Sequence, residues 1–110
     1  MNREQFEKIL SHKHFYDFKP HINGGGLVER TAHVDRTAFV GQDALVYDNA
    51  KIFGNAWVYG NAWVCDDAVV YGNAKVYGNA WVFGNAQVSD NAQVSGDTQI
   101  SGNGRVSSSA

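Results

Sequence analysis

The chain has 110 residues, room for one domain, and nine Lys and Arg against eleven Asp and Glu leave it a formal charge of -2. Residues 1–30 carry five basic and four acidic side chains and the remainder four and seven, so no basic stripe exists for a phosphate backbone and no nucleic-acid partner is expected. No apolar run is long enough to span a bilayer, the charged first eight residues lack a secretory core, and a single cysteine, Cys65, fits a reducing, cytoplasmic compartment.

Residues 1–30 do not repeat. Asn2 with Gln5 can start a helix, and Phe6, Ile9 and Leu10 fall at i, i+3 and i+4, which predicts a short helix over about residues 3–12. Phe15, Tyr16 and Phe18 continue the apolar character until Pro20 breaks it. Gly24-Gly25-Gly26 is read as a flexible connection; no Gly-Lys-Ser/Thr follows, so it is not a phosphate-binding loop. Such a helix is too short to persist alone, so the segment is expected to cap or dock on the rest of the chain, against Phe39, Trp57, Tyr59, Phe53 and Tyr71.

From residue 31 to 110 one unit dominates. Stepping by six from Val34 gives Val40, Val46, Ile52 and onward to Val106, thirteen β-branched aliphatics without exception. Ala stands two residues before the aliphatic in eleven of the thirteen units, Gly or Asp two residues after it in ten, and Asn or Asp three after it in eleven. Ala and Val, two apart, face one side of an extended chain. Gly and Asn enter positive-φ conformations cheaply and read as corners. One hexad is therefore a short strand plus a corner. It cannot bury its apolar side alone, so successive units must stack as a solenoid.

The runs Val58-Tyr59-Gly60-Asn61-Ala62 and Val94-Ser95-Gly96-Asp97-Thr98 resemble the hexapeptide-repeat, left-handed parallel β-helix proteins, and among them the bacterial and phage-type members written in such units. The resemblance covers residues 32–109. It implies three hexads per coil, about four coils, a left hand, and trimers as the common assembly. A phage-encoded member would work in the cytoplasm of its host.

With eighteen residues per coil, residues eighteen apart stack, and the neighbours of each Val point out of the coil. One wall reads Leu45, Trp63 and Trp81 beside Tyr47, Cys65 and Phe83. A second reads Phe39, Trp57 and Lys75 beside Gly41, Tyr59 and Tyr77, and a third His33, Lys51 and Val69 beside Asp35, Phe53 and Tyr71. All ten aromatics of the repeat are thus expected to face outward, and a contiguous apolar wall marks an interaction surface. Leu45, Tyr47, Trp63, Trp81, Phe83, Trp57, Tyr59 and Tyr77 are the predicted binding surface. The wall of Leu45, Trp63, Trp81 and Phe83 is expected to build a homotrimer. Another protein, or a small ligand stacking at the subunit boundary, is the alternative occupant.

Chemistry is sparse. His12, His14 and His21 have no Cys or carboxylate at a metal-ligand spacing, so no metal and no cofactor are expected. Many proteins that the repeat resembles are acyl- or acetyltransferases using a CoA-type donor and a histidine base. Here His33 is the one His within the repeat, no loop interrupts the units, and a second catalytic partner is not expected beside it. Cys65 has no His in its own unit and reads as packing. Thr31, Thr37 and Thr98 make no threonine ladder of the kind an ice-binding face needs. The sequence therefore reads as a non-enzymatic, self-associating scaffold or binding module, inhibitors and ligand-sequestering proteins included. A CoA-dependent acyltransferase is the alternative.

Overall fold

The computed structural model describes residues 11, 13 and 17–108. It is an all-β solenoid of about four turns with three sheets, and among the described residues there is no helix. The helix expected over residues 3–12, with Phe6, Ile9 and Leu10, lies outside the described residues, as do His12, His14, Phe15 and Tyr16.

Stacking follows the eighteen-residue register. Trp63 pairs with Trp81 and Val64 with Val82 in one sheet, Trp57 with Lys75 and Val58 with Val76 in the second, and Val69 with Gln87 and Val70 with Val88 in the third. Each of these strands is two residues long where the chain has Trp-Val, Lys-Val or Val-Val. The ladder continues between them, as in Trp63 N–H to Ala80 C=O (3.0 Å) and Cys65 N–H to Val82 C=O (3.0 Å). Ala38 through Val94 fill the interior as one column of fully or almost fully buried Ala, Val and Ile. Ala at every turn keeps the walls close to the axis, and β-branched Val packs on the pleat.

The corners are made by the residue two after each aliphatic. All ten Gly and Asp at that position have positive φ, Asp48, Asp66 and Asp90 included. The Asn that follows is not left-handed; its backbone N–H instead donates to the next coil, as Asn61 does to Gly78 C=O at 2.8 Å. Corner chemistry is thus divided between the two residues, conformation to one and inter-coil bonding to the other.

The ladder starts one unit earlier than the repeat is visible. Leu27 and Val28 of β2 (Leu27–Glu29) pair with Leu45 and Val46, and β1 (Phe18–Pro20) adds antiparallel to β2, Phe18 opposite Glu29. Between the two, residues 21–26 form an ordered cap rather than the loose connection expected. His21 N–H donates to Gly26 C=O (2.8 Å), Gly26 N–H to Val40 C=O (2.9 Å), and Val40 N–H to Asn23 C=O (3.0 Å). A Cβ on Gly24, at φ 110°, would lie 2.2 Å from the Val40 carbonyl oxygen, so the cap seats only with glycine there.

Candidate functional site

The three walls differ in a way that alternation alone does not reveal. Side chains beside the Val ladder do leave the coil, but on the tryptophan wall they are not exposed. Tyr47 (0%), Cys65 (1%), Trp81 (3%) and Trp63 (6%) form a second buried cluster, with Phe18, Leu45 and Phe83 packed on it. Trp63 and Trp81 stack with ring centroids 5.8 Å apart and planes 15° from parallel; Tyr47 meets Trp63 edge-on at 6.3 Å. Phe18 from β1 lies against this wall, and the Lys13 ammonium sits 5.8 Å from the Tyr47 ring. The expected outward exposure of these aromatics is corrected: within a single chain, Tyr47, Trp63 and Trp81 are already interior.

The tyrosine wall remains open. Trp57 is 45% exposed, and Phe39, Tyr59 and Tyr77 are half-buried. Tyr59 and Tyr77 stack face to face at 4.9 Å and 7°, Trp57 meets Tyr59 edge-on at 6.1 Å, and Phe39 tilts against Trp57 at 5.5 Å. Lys75 places its ammonium 5.2 Å over the Trp57 ring, and the Tyr77 hydroxyl donates to Gln93 Oε1 at 3.2 Å. Burial, and then the neighbouring Tyr77, hold the Tyr59 hydroxyl above its usual pKa. The result is a continuous π-surface four rings long, rimmed by the Lys75 ammonium and the Gln93 amide.

On the third wall His33 does have a partner, contrary to expectation. Its Nε2 lies 2.8 Å from Asp35 Oδ1, the two side chains standing two apart on one face of the strand. Asp35 Oδ2 accepts the Gly54 N–H of the next coil at 2.9 Å. That bond, and then His33, hold the Asp35 carboxyl below the usual carboxylate range. Phe53 tilts on the His33 ring at 5.3 Å. His21, once weighed as a ligand, has its Nε2 2.9 Å from the Ala38 carbonyl in the cap.

The corner between the tryptophan wall and the third wall concentrates charge. An open cleft of about 550 Å³ there is lined by Lys13, Glu29, Asp48, Asp66 and Asp67 among others. Lys13 Nζ lies 3.1 Å from Glu29 Oε1 and 2.8 Å from Asp48 Oδ1; Glu29 in turn accepts the Asp48 N–H at 2.7 Å. Asp66 Oδ2 accepts the Gly84 N–H at 2.9 Å. One ligand atom from each of Asp48, Cys65 and Asp66 falls within 4.8 Å of the other two. Burial, reinforced by the two carboxylates, pushes the Cys65 thiol up to about 12, which makes it inert as a nucleophile. The Tyr47 hydroxyl, wholly buried and without a nitrogen or oxygen partner among the described residues, faces that thiol and is likewise held far above its ordinary pKa by burial. Tyr47 and Cys65 were expected to stack on one wall, but Asp48 and Asp66 were not expected beside them. The signal was present: Tyr47 and Cys65, and Asp48 and Asp66, are each eighteen apart.

Residues 50–66 and 74–90 match the model of a family described as the YdcK beta solenoid repeat, just under a third of the chain. The matched stretches run from one corner through the tryptophan wall and from the tyrosine wall into the last aromatic coil. Neither a curated protein nor a solved structure matches the chain.

Proposed function

We propose that this chain is a left-handed, self-associating β-solenoid that works as a scaffold or binding module in the cytoplasm, with the tyrosine wall as its docking surface. The observation carrying this is the continuous array of Phe39, Trp57, Tyr59 and Tyr77, which reaches solvent at Trp57 and is half-buried at the other three rings, while Tyr47, Trp63 and Trp81 of the tryptophan wall are buried. Large aromatics with a cationic and amide rim have the composition of a protein interface core. A second copy of the chain is the occupant we favour, with the trimer implied by the resembled family as the assembly. The wall inherits that role from Leu45, Trp63, Trp81 and Phe83. The left hand rests on the same resemblance.

The test is sedimentation at micromolar concentration. An oligomer is expected, dissociated by Trp57→Glu with Tyr59→Glu while the solenoid's circular dichroism persists. A clean monomer for the unaltered protein overturns self-association.

One observation favours a second reading. The His33–Asp35 pair is a base with an orienting carboxylate, the arrangement that an acyltransferase of the hexapeptide-repeat type would use with a CoA-type donor. His33 lines a cleft of about 300 Å³ together with Lys19, His21, Val28 and Arg30. Binding of acetyl-CoA by calorimetry, lost in His33→Ala, would replace the scaffold reading with the enzyme.

A further inference from the structure

We propose that Asp48, Cys65 and Asp66 form a binding site for a borderline-soft divalent cation of the zinc class, at the corner where the tryptophan wall meets the third wall. The three donors lie within 4.8 Å of one another on adjacent coils. Tetrahedral zinc with thiolate and carboxylate ligands needs them roughly 3.5 Å apart, a closure of about an ångström. A hard cation would be satisfied by the carboxylates alone; the thiol selects a softer one.

The second observation is Tyr47. Its hydroxyl is fully buried, has no nitrogen or oxygen partner among the described residues, and faces the Cys65 sulfur. A neutral thiol is a poor acceptor, whereas a metal-bound thiolate is a strong one. Coordination by Cys65 expels the thiol proton to water, and the Tyr47 O–H then donates to the sulfur. Hydrogen bonds of this kind from outside the ligand set orient and hold metal-binding side chains. The buried hydroxyl, which now meets only the weakly accepting neutral thiol, gains a strong acceptor in that state.

Charge points the same way. Glu29, Asp48, Asp66 and Asp67 line the cleft, and among the described residues Lys13 is the one cation that faces them. Both Asp48 and Asp66 hold a positive φ, where the other corners of this chain mostly use glycine. Lys13, 2.8 Å from Asp48, is the resident counter-ion and competes with an incoming metal for that carboxylate. The site is therefore an exchange site: a dication displaces an ammonium.

Cobalt(II) is the probe, because a thiolate ligand gives it a near-ultraviolet charge-transfer band that carboxylates do not. The full chain with one equivalent of Co²⁺ is expected to show the band, and added Zn²⁺ to abolish it. Cys65→Ser should remove the band. Asp48→Asn and Asp66→Asn, which keep a residue tolerant of positive φ, should weaken Co²⁺ binding at least tenfold without changing the circular dichroism. Lys13→Ala should tighten it severalfold, an effect no merely structural role of Lys13 would produce. Absence of the band, a band that survives Cys65→Ser, or weaker binding in Lys13→Ala each overturns the site.

Discussion

Trp81→Ala and Trp57→Ala compare two tryptophans that the repeat makes look equivalent. An aromatic of this size buries 150–250 Å², so Trp81, 3% exposed, removes roughly 200 Å² from water, about 5 kcal/mol at ~25 cal/mol per Å². That value is an upper bound, because the unfolded chain already covers part of the ring. Loss of the Trp63 stack at 5.8 Å adds about 1 kcal/mol, and partial collapse of the cavity offsets some of the total. The expected loss is about 3–5 kcal/mol. Trp57 keeps 45% of its surface in water and leaves no closed cavity, so its removal should cost about 1–2 kcal/mol in the separated subunit. Urea unfolding followed by circular dichroism, at two protein concentrations, reads both numbers. Stabilisation by association depends on concentration and stabilisation within a chain does not. A concentration-dependent loss in Trp81→Ala, or one below about 1.5 kcal/mol, would refute the interior assignment and return the tryptophan wall to a subunit interface.

Gly78→Ala and Gly96→Ala separate backbone strain from coil contact. Both residues are near φ 65–69°, but a Cβ at Gly78 meets the Gly96 nitrogen at 2.8 Å while one at Gly96 meets nothing within 4 Å. Thermal unfolding should show about 1 kcal/mol lost at Gly96 from the left-handed backbone, and a further 1–3 kcal/mol at Gly78 from the clash. Equal losses would mean that the coils do not approach so closely. Asp35 should titrate below an ordinary aspartate by carboxyl-carbon NMR. Its contribution to stability is present above the unfolded-state pKa and is lost as pH falls through the lowered folded one. His33→Ala should raise that pKa only in part, because the Gly54 N–H, the larger cause, remains.

Period and register were legible in the residues themselves. A β-branched aliphatic every sixth residue, with Ala two before it, leaves one way to bury a two-residue strand, and Trp63 therefore lies beside Trp81 and Val64 beside Val82. The Gly and Asp corners were equally visible, because few residues take a positive φ cheaply. Local alternation also put His33 beside Asp35 on one wall, and the eighteen-residue step put Tyr47 beside Cys65 and Asp48 beside Asp66; all three pairs follow from spacing. What alternation could not decide is whether a side chain that leaves the coil reaches water. That depends on what lies against each wall, and the non-repeating β1 with Phe18, and Lys13 before it, have no period to place them. Only the tertiary structure set them on the tryptophan wall, turned Tyr47 and Trp81 into interior residues, closed a lysine onto Glu29 and Asp48, and left Trp57, Tyr59 and Tyr77 facing outward. The physical reason is that strand period fixes the side of the wall a residue is on, whereas burial is a property of two surfaces, and the second surface here comes from a segment with a different sequence logic.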